Sequence, residues 1–288
     1  MSQLKTLLWF FGLWALQVYA KPIQPIQPIK APERIVVLSP HLLDWVQVFE
    51  RLPQVIATLN ASYFAYDLPK NIVFLGQPGT VSARAILKLK PDLILAWSGG
   101  NSPALLQALT NKQAPLVAIK ATQLSELPAE VLRIGLALGQ PQKAKLWSNR
   151  IQAQLDSGRA QFRRRHLKPR VFYEMWSAPL ASIAHTSYIQ QALSWCQLDN
   201  VFADVELDYF QISQAQVVRR NPEWILQPQS ATLPHRLFDW TRWPHLQAVQ
   251  KLHVLQVPAD AMHRPGAKFV TAWFKVCTQI HQATAKHL

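Results

Sequence analysis

Lys88-Leu89-Lys90-Pro91-Asp92-Leu93-Ile94-Leu95-Ala96-Trp97-Ser98-Gly99-Gly100-Asn101 is the stretch from which the fold can be read. Leu93 to Ala96 is a short unbroken apolar run, the pattern of a strand covered on both faces in a parallel sheet. Pro91 ends the helix before it, and Asp92 opens the turn into the strand. Trp97 falls at the strand's carboxyl end, with Ser98-Gly99-Gly100-Asn101 directly after. In open α/β sheets ligands bind beyond that end. A flat aromatic there, beside two glycines that let something approach the backbone, makes a ligand platform. A tryptophan that caps the core beside an ordinary turn is the alternative.

The same pattern occurs twice. Ser82-Ala83-Arg84-Ala85-Ile86-Leu87-Lys88-Leu89-Lys90-Pro91-Asp92-Leu93-Ile94-Leu95 can be laid over Ser213-Gln214-Ala215-Gln216-Val217-Val218-Arg219-Arg220-Asn221-Pro222-Glu223-Trp224-Ile225-Leu226. Each copy has a serine helix cap, an apolar pair four and five residues later, basic residues, then Pro-acid and an apolar strand. One helix-to-strand unit in each half predicts two similar lobes.

The 288 residues are 49% hydrophobic and 16% charged, so the chain has sizeable cores and is not disordered. The net charge of +14 comes from scattered Lys and Arg; only Arg163-Arg164-Arg165 forms a run. With no zinc-finger or RNA-recognition signature beside it, nucleic acid is not the expected partner. Residues 1–20 read as a secretory signal: Lys5, an apolar core from Leu7 to Leu16, and Val18-Tyr19-Ala20 as the cleavage site. That core is short for a transmembrane helix, and an uncleaved anchor is the other reading. Residues 21–33, with Pro-Ile-Gln repeated, form an extended leader. Export into an oxidising compartment favours a bridge between the two cysteines, Cys196 and Cys277, over two buried free thiols.

Beyond the leader, strands and helices alternate. Strands are expected at 34–38, 55–59, 93–97 and 116–119, with helices at 42–49, 103–111 and 127–138. Residues 62–69 form an aromatic loop containing Tyr66. Trp147, Ile151, Leu155 and Phe162 share one face of a helix over about 143–166, roughly 36 Å long and able to cross between lobes. The second half has a strand at 171–175, then Trp176 to Leu180, a helix at 188–195, Asp208-Tyr209-Phe210, the repeat, a polar-aromatic loop at 238–244, a strand at 254–257 and a last amphipathic helix. The expected organisation is a first α/β lobe over 34–142, a linker helix over 143–167 and a second α/β lobe over 168–288. The fold class is thus α/β: two Rossmann-like lobes with mostly parallel sheets joined by one long helix.

Catalytic chemistry is easier to exclude than to assign. No Gly-rich phosphate loop, Gly-x-Ser-x-Gly elbow or His-Glu-x-x-His is present. The nine histidines are scattered and carboxylates are few, so neither a metal site nor an acid/base pair is expected. Of the eleven tryptophans only Trp9 and Trp14 fall in the first twenty residues, and several others lie in loops at strand ends. Aromatics in such places suit a large, flat, partly apolar ligand, which favours a binding protein over an enzyme.

From Arg34 to the last helix the chain resembles the periplasmic cobalamin-binding proteins of ABC importers. Lys90 to Asn101 carries most of the likeness, supported by Arg34-Ile35-Val36-Val37-Leu38-Ser39-Pro40, Pro179-Leu180 and Arg264-Pro265-Gly266. The resemblance implies a rigid, clamp-like monomer in the periplasm that holds a corrinoid between its lobes and has no catalytic cofactor. It implies ligand contacts from Trp97, Ser98, Gly99, Asn101 and Tyr66 of the first lobe. From the second it implies Tyr209, Asp260 and Arg264, with Trp176, Pro179 and Trp240 at weaker matches. Cys196 and Cys277 fall where the family has its second-lobe disulfide. Pro78 stands where some members have a tryptophan. Haem and iron-siderophore carriers share the architecture and remain alternatives for the ligand, as does a secreted enzyme on the same scaffold. The family docks on its permease through a glutamate in each lobe; here those positions are Arg84 and Ala215. Docking on a permease with altered charges, or corrinoid binding without docking, is therefore expected, with Glu206 and Asp208 as substitute acids.

Overall fold

In the first lobe, β1 (Ile35–Val37), α1 (Pro40–Val48), β2 (Val55–Thr58), β3 (Val73–Phe74), α2 (Ala83–Lys88), β4 (Leu93–Trp97), α3 (Pro103–Leu109), β5 (Leu116–Ile119) and α4 (Leu127–Ala137) follow in that order. The computed structural model describes residues 31–60, 68–77, 79–110, 114–120, 122–230 and 236–286; the expected signal, most of the leader, Tyr66 and Pro78 lie outside these. All five strands are parallel, in the order β3-β2-β1-β4-β5. The unbroken apolar runs are explained by burial of both faces. Ile35, Val37, Leu93 and Leu95 pack with α1 and α4, whereas Val36, Ile94 and Ala96 pack with Ile86 of α2 and Leu109 of α3.

Helix α5 (Pro141–Phe162) then leads to β6 (Arg170–Tyr173), β7 (Trp176–Ser177), β8 (Leu180–Ile183), α6 (Tyr188–Trp195), β9 (Asp199–Asn200), β10 (Tyr209–Gln211), α7 (Gln214–Arg220), β11 (Trp224–Gln229), α8 (Gln247–Gln250), β12 (Val254–Pro258), α9 (Ala259–Met262) and α10 (Phe269–Lys286). The parallel order here is β12-β11-β6-β9. With β6 laid on β1 and β11 on β4, this reproduces the order of β5-β4-β1-β2. Among the described residues, the parallel sheet of the second lobe is a topological copy of the first without a counterpart of the edge strand β3.

The duplication extends to side chains. Arg34, ahead of β1, donates from Nε and Nη2 to the carbonyls of Lys90 and Leu89, where the chain leaves α2. Arg170, at the start of β6, donates to the carbonyls of Asn221 and Arg220 at the end of α7. Lys90 and Asn221 share left-handed backbone, with φ of 48° and 43°, the conformation that closes a helix before a proline. In return Asp92 accepts from the backbone N–H of Glu33 and Arg34, and Glu223 from that of Arg170. The copies differ in their caps: Ser213 makes a capping box with Gln216, while Ser82 sits at the cap position without a side-chain bond.

Several boundaries differ from expectation for local reasons. α1 begins at Pro40, because proline is favoured in the first turn. α5 also begins at a proline and ends at Phe162, so the arginine run lies beyond the helix; its 22 residues give about 33 Å. Tyr209 and Phe210 belong to a strand. β10, β8 and β7 form a small antiparallel sheet whose strands are too short to read as such.

One hydrophobic core runs through both lobes. Residues of β1, β4, α1 and α4 join Ile151, Leu155 and Phe162 of α5, then Ile189 and Leu193 of α6, and Trp273, Val276 and Ile280 of α10. Cys196, at the end of α6, is disulfide-bonded to Cys277 of α10, with 5.9 Å between their Cα atoms. Among the described residues no helix is long and apolar enough to cross a membrane.

Candidate ligand-binding cleft

In both sheets the strand order reverses between two neighbouring strands, β1 and β4 in the first lobe, β6 and β11 in the second. The carboxyl ends beside such a switch point are where α/β sheets hold ligands. β4 delivers Trp97 there. Its indole lies on the backbone of the following turn: a Cβ on Gly99 or Gly100 would come within 2.6 or 2.5 Å of the ring. That is why both positions are glycine. Asn101 is engaged by the fold, since its Oδ1 accepts from Trp97 N–H at 2.8 Å and its Nδ2 donates to Leu38 O at 3.0 Å. Its side chain anchors the turn under Trp97.

From the second lobe comes the small antiparallel sheet. Trp176 and Gln211 both pair with Ala181, and Tyr209 lies two residues from Gln211, so Trp176 and Tyr209 emerge on one face. They are 53% and 56% exposed, among the large hydrophobic side chains at the surface. Tyr209 shares a cavity of about 290 Å³ with Trp97, Ser98 and Gly99; Lys120 and Thr122 beyond β5, Thr186 to Tyr188 at the start of α6, and Asp208 complete its wall. Asp208, expected as a substitute docking acid, instead accepts from Thr186 N–H and Oγ1–H at 2.8 and 2.9 Å.

Asp260 and Arg264 line a different cavity, of about 470 Å³, between α1 and the start of α10. Arg264 Nη2 donates to Asp260 Oδ1 at 3.1 Å, and Ser230 Oγ donates to the same oxygen at 2.7 Å. The expected site residues are therefore divided between two recesses.

The lobes touch on both flanks. Trp45 Nε1 donates to Pro265 O at 3.2 Å, and Gly266 lies so close to Asp44 that a Cβ would come 2.6 Å from its carboxylate. Opposite, Gln191 of α6 accepts from Leu124 N–H and donates to Thr122 O. At the base His41 packs edge-on to Trp97, with centroids 5.1 Å apart, and its Nδ1 bonds Ser39 Oγ. Burial, then the charge of Arg264, lowers its pKa to about 3 and keeps the imidazole neutral.

Trp240, expected to face a ligand, is 1% exposed. The cause is Glu174, a buried carboxylate just beyond β6. It accepts from Trp240 Nε1 at 2.6 Å, Gln227 Nε2 at 2.9 Å, Ser177 Oγ at 2.6 Å and Phe238 N–H at 3.3 Å. These four donors draw the 238–240 segment onto the second sheet and fix the turn after Trp176. Burial still raises the carboxyl above its ordinary pKa. Pro179 is exposed in the β7–β8 turn, after a cis peptide bond. Arg84 and Ala215 are exposed in the first turns of α2 and α7, at matching places in the two lobes. Among the described residues no group of three or more His, Cys, Asp or Glu could hold a metal ion.

Residues 35–261 match the family described as periplasmic binding protein. Among curated relatives, the vitamin B12-binding protein of Pectobacterium atrosepticum is 28% identical over 254 residues, covering 86% of this chain and 88% of that protein. Among solved structures, the periplasmic vitamin B12 binding protein of Vibrio cholerae is 26% identical with a TM-score of 0.76, covering 88% of this chain and 98% of that one. A periplasmic haem-binding protein from Roseiflexus sp. RS-1 is 17% identical with a TM-score of 0.71, covering 87% and 98%, a likeness of fold. These homologues are solute-binding proteins and not enzymes.

Proposed function

This chain belongs to the periplasmic binding protein family, and from that premise we propose that it captures a corrinoid between its lobes in the periplasm, reached through the signal read in residues 1–20. The observation that carries the reading is the cavity shared by Trp97 of the first lobe and Tyr209 of the second. Two aromatic side chains, one from each lobe, lining one cavity suit the apolar plane and edge of a macrocycle, and nearby hydroxyls suit its amide arms. The similarity to vitamin B12-binding proteins across both lobes supports the same choice.

Titration of the purified protein with cobalamin, cobinamide and haemin, followed by absorbance and calorimetry, tests it. Corrinoid binding is the expected outcome; haemin binding without corrinoid binding would replace the ligand. Trp97→Ala should weaken corrinoid binding by about 1–3 kcal/mol with the circular dichroism unchanged. Equal affinity in the folded variant would return Trp97 to a packing role.

A membrane permease is the partner of such a protein, but docking by an acid in each lobe is not open to it. Arg84 replaces one acid by the opposite charge, Ala215 removes the other, and like charges at an interface reject a partner. A cobalamin permease with its docking arginines intact should fail to retain the protein in a pull-down. Retention of the wild type would show that the missing acids are unnecessary.

A further inference from the structure

Lys120 stands apart from the other charged groups around the cleft. It follows β5 directly, is exposed, and lines the cavity that holds Trp97 and Tyr209. Its ammonium makes no hydrogen bond or ion pair with any described residue. The neighbouring acids are all engaged elsewhere. Asp208 accepts twice from Thr186, Glu126 accepts from the N–H groups of Thr122 and Gln123, and Glu130, which accepts the backbone N–H of Lys120, is ion-paired with Arg133 and not with the Lys120 ammonium. Asp208 lines the same cavity without coming within ion-pair distance of Lys120. An unpaired cation beside two aromatics is more than a neutral, amide-rimmed macrocycle needs, because amides are served by the hydroxyls already present.

We propose that Lys120 is a specificity residue that reads an anionic oxygen group carried on the edge of the macrocyclic cargo, a phosphodiester or a carboxylate. This rests on the reading of the cleft as a corrinoid site and adds which corrinoids it prefers: those that keep their phosphodiester arm. An ammonium reaching one such oxygen gains a charge-assisted bond, while exposure and salt keep the gain small. The overall charge of +14 favours anionic cargo in the same sense.

The test is calorimetric titration of wild type, Lys120→Gln and Lys120→Arg with cobalamin, which has the phosphodiester, cobinamide, which lacks it, and haemin, whose anionic groups are carboxylates. Lys120→Gln should weaken cobalamin binding roughly five- to tenfold and leave cobinamide unchanged. Lys120→Arg should restore most of the loss, and the wild-type preference should shrink as salt rises. An equal loss for cobalamin and cobinamide, or no loss for either, overturns the inference and leaves the corrinoid reading standing. A charge-dependent response with haemin, where the wild type binds no corrinoid, upholds the anion reading with a carboxylate source and overturns the corrinoid one. Wild type that binds none of the three overturns both.

Discussion

Replacing Glu174 by alanine should destabilise the protein by about 3–5 kcal/mol, the range for breaking a buried, fully bonded charge. The carboxylate accepts four donors, and three of them, Trp240 Nε1, Gln227 Nε2 and Phe238 N–H, have no role in a sheet ladder that could replace it. Removing the acceptor leaves buried N–H groups without a partner as well as a cavity. Glu174→Gln keeps one carbonyl oxygen but turns an amide toward two donors, so about half that loss is expected. Urea midpoints at unchanged slope would measure both. A loss below about 1 kcal/mol for the alanine variant would mean that the 238–240 segment is held by packing alone. The variant should also bind cargo more weakly, since the turn after Trp176 depends on the same carboxylate through Ser177.

Loss of the disulfide is the other large effect. Cys196 and Cys277 are 81 residues apart, and closing a loop of that length contributes about 4 kcal/mol on the chain-entropy account. A Cys196→Ala, Cys277→Ala variant keeps small apolar groups at these buried positions, so the difference in unfolding free energy isolates the bridge. The bond from His281 to the carbonyl of Cys196, at 2.7 Å, survives in the variant and holds the same helices together. Thiol titration of the denatured, unreduced protein should find no reactive thiol. Two thiols per chain would remove the bridge and the expected stability loss with it.

The repeat was legible because its signals are local. The prolines at 91 and 222, the acids that follow them and the apolar runs beyond each act within a few residues, and both copies form a helix followed by a central parallel strand. The clamps at Arg34 and Arg170 were not legible, since each joins residues some fifty apart. Trp97 at a strand tip could be found from its own neighbourhood. Trp240 could not be assigned to the interior, because a residue 66 positions away decides its burial. Asn101 looked like part of a ligand turn, and only the carbonyl of Leu38 reveals its structural use. Strands of two to four residues carry too little alternation to announce the sheet under Tyr209 and Trp176. Lys120 is one lysine among many in sequence; its place in the cavity, with no partner for its ammonium among the described residues, distinguishes it.

The core that passes from β1 and β4 through α5 into α6 and α10 has a consequence for how the chain can come apart. A hinge needs a section across which few contacts run, and α5 is the opposite: its Ile151, Leu155 and Phe162 are buried in the same interior as both lobes. Severed on either side of α5, each half would keep a raw apolar flank and lose its claim to be a folding unit. One cooperative unfolding transition by calorimetry is the expected result, and two separated transitions would show the halves unfolding independently.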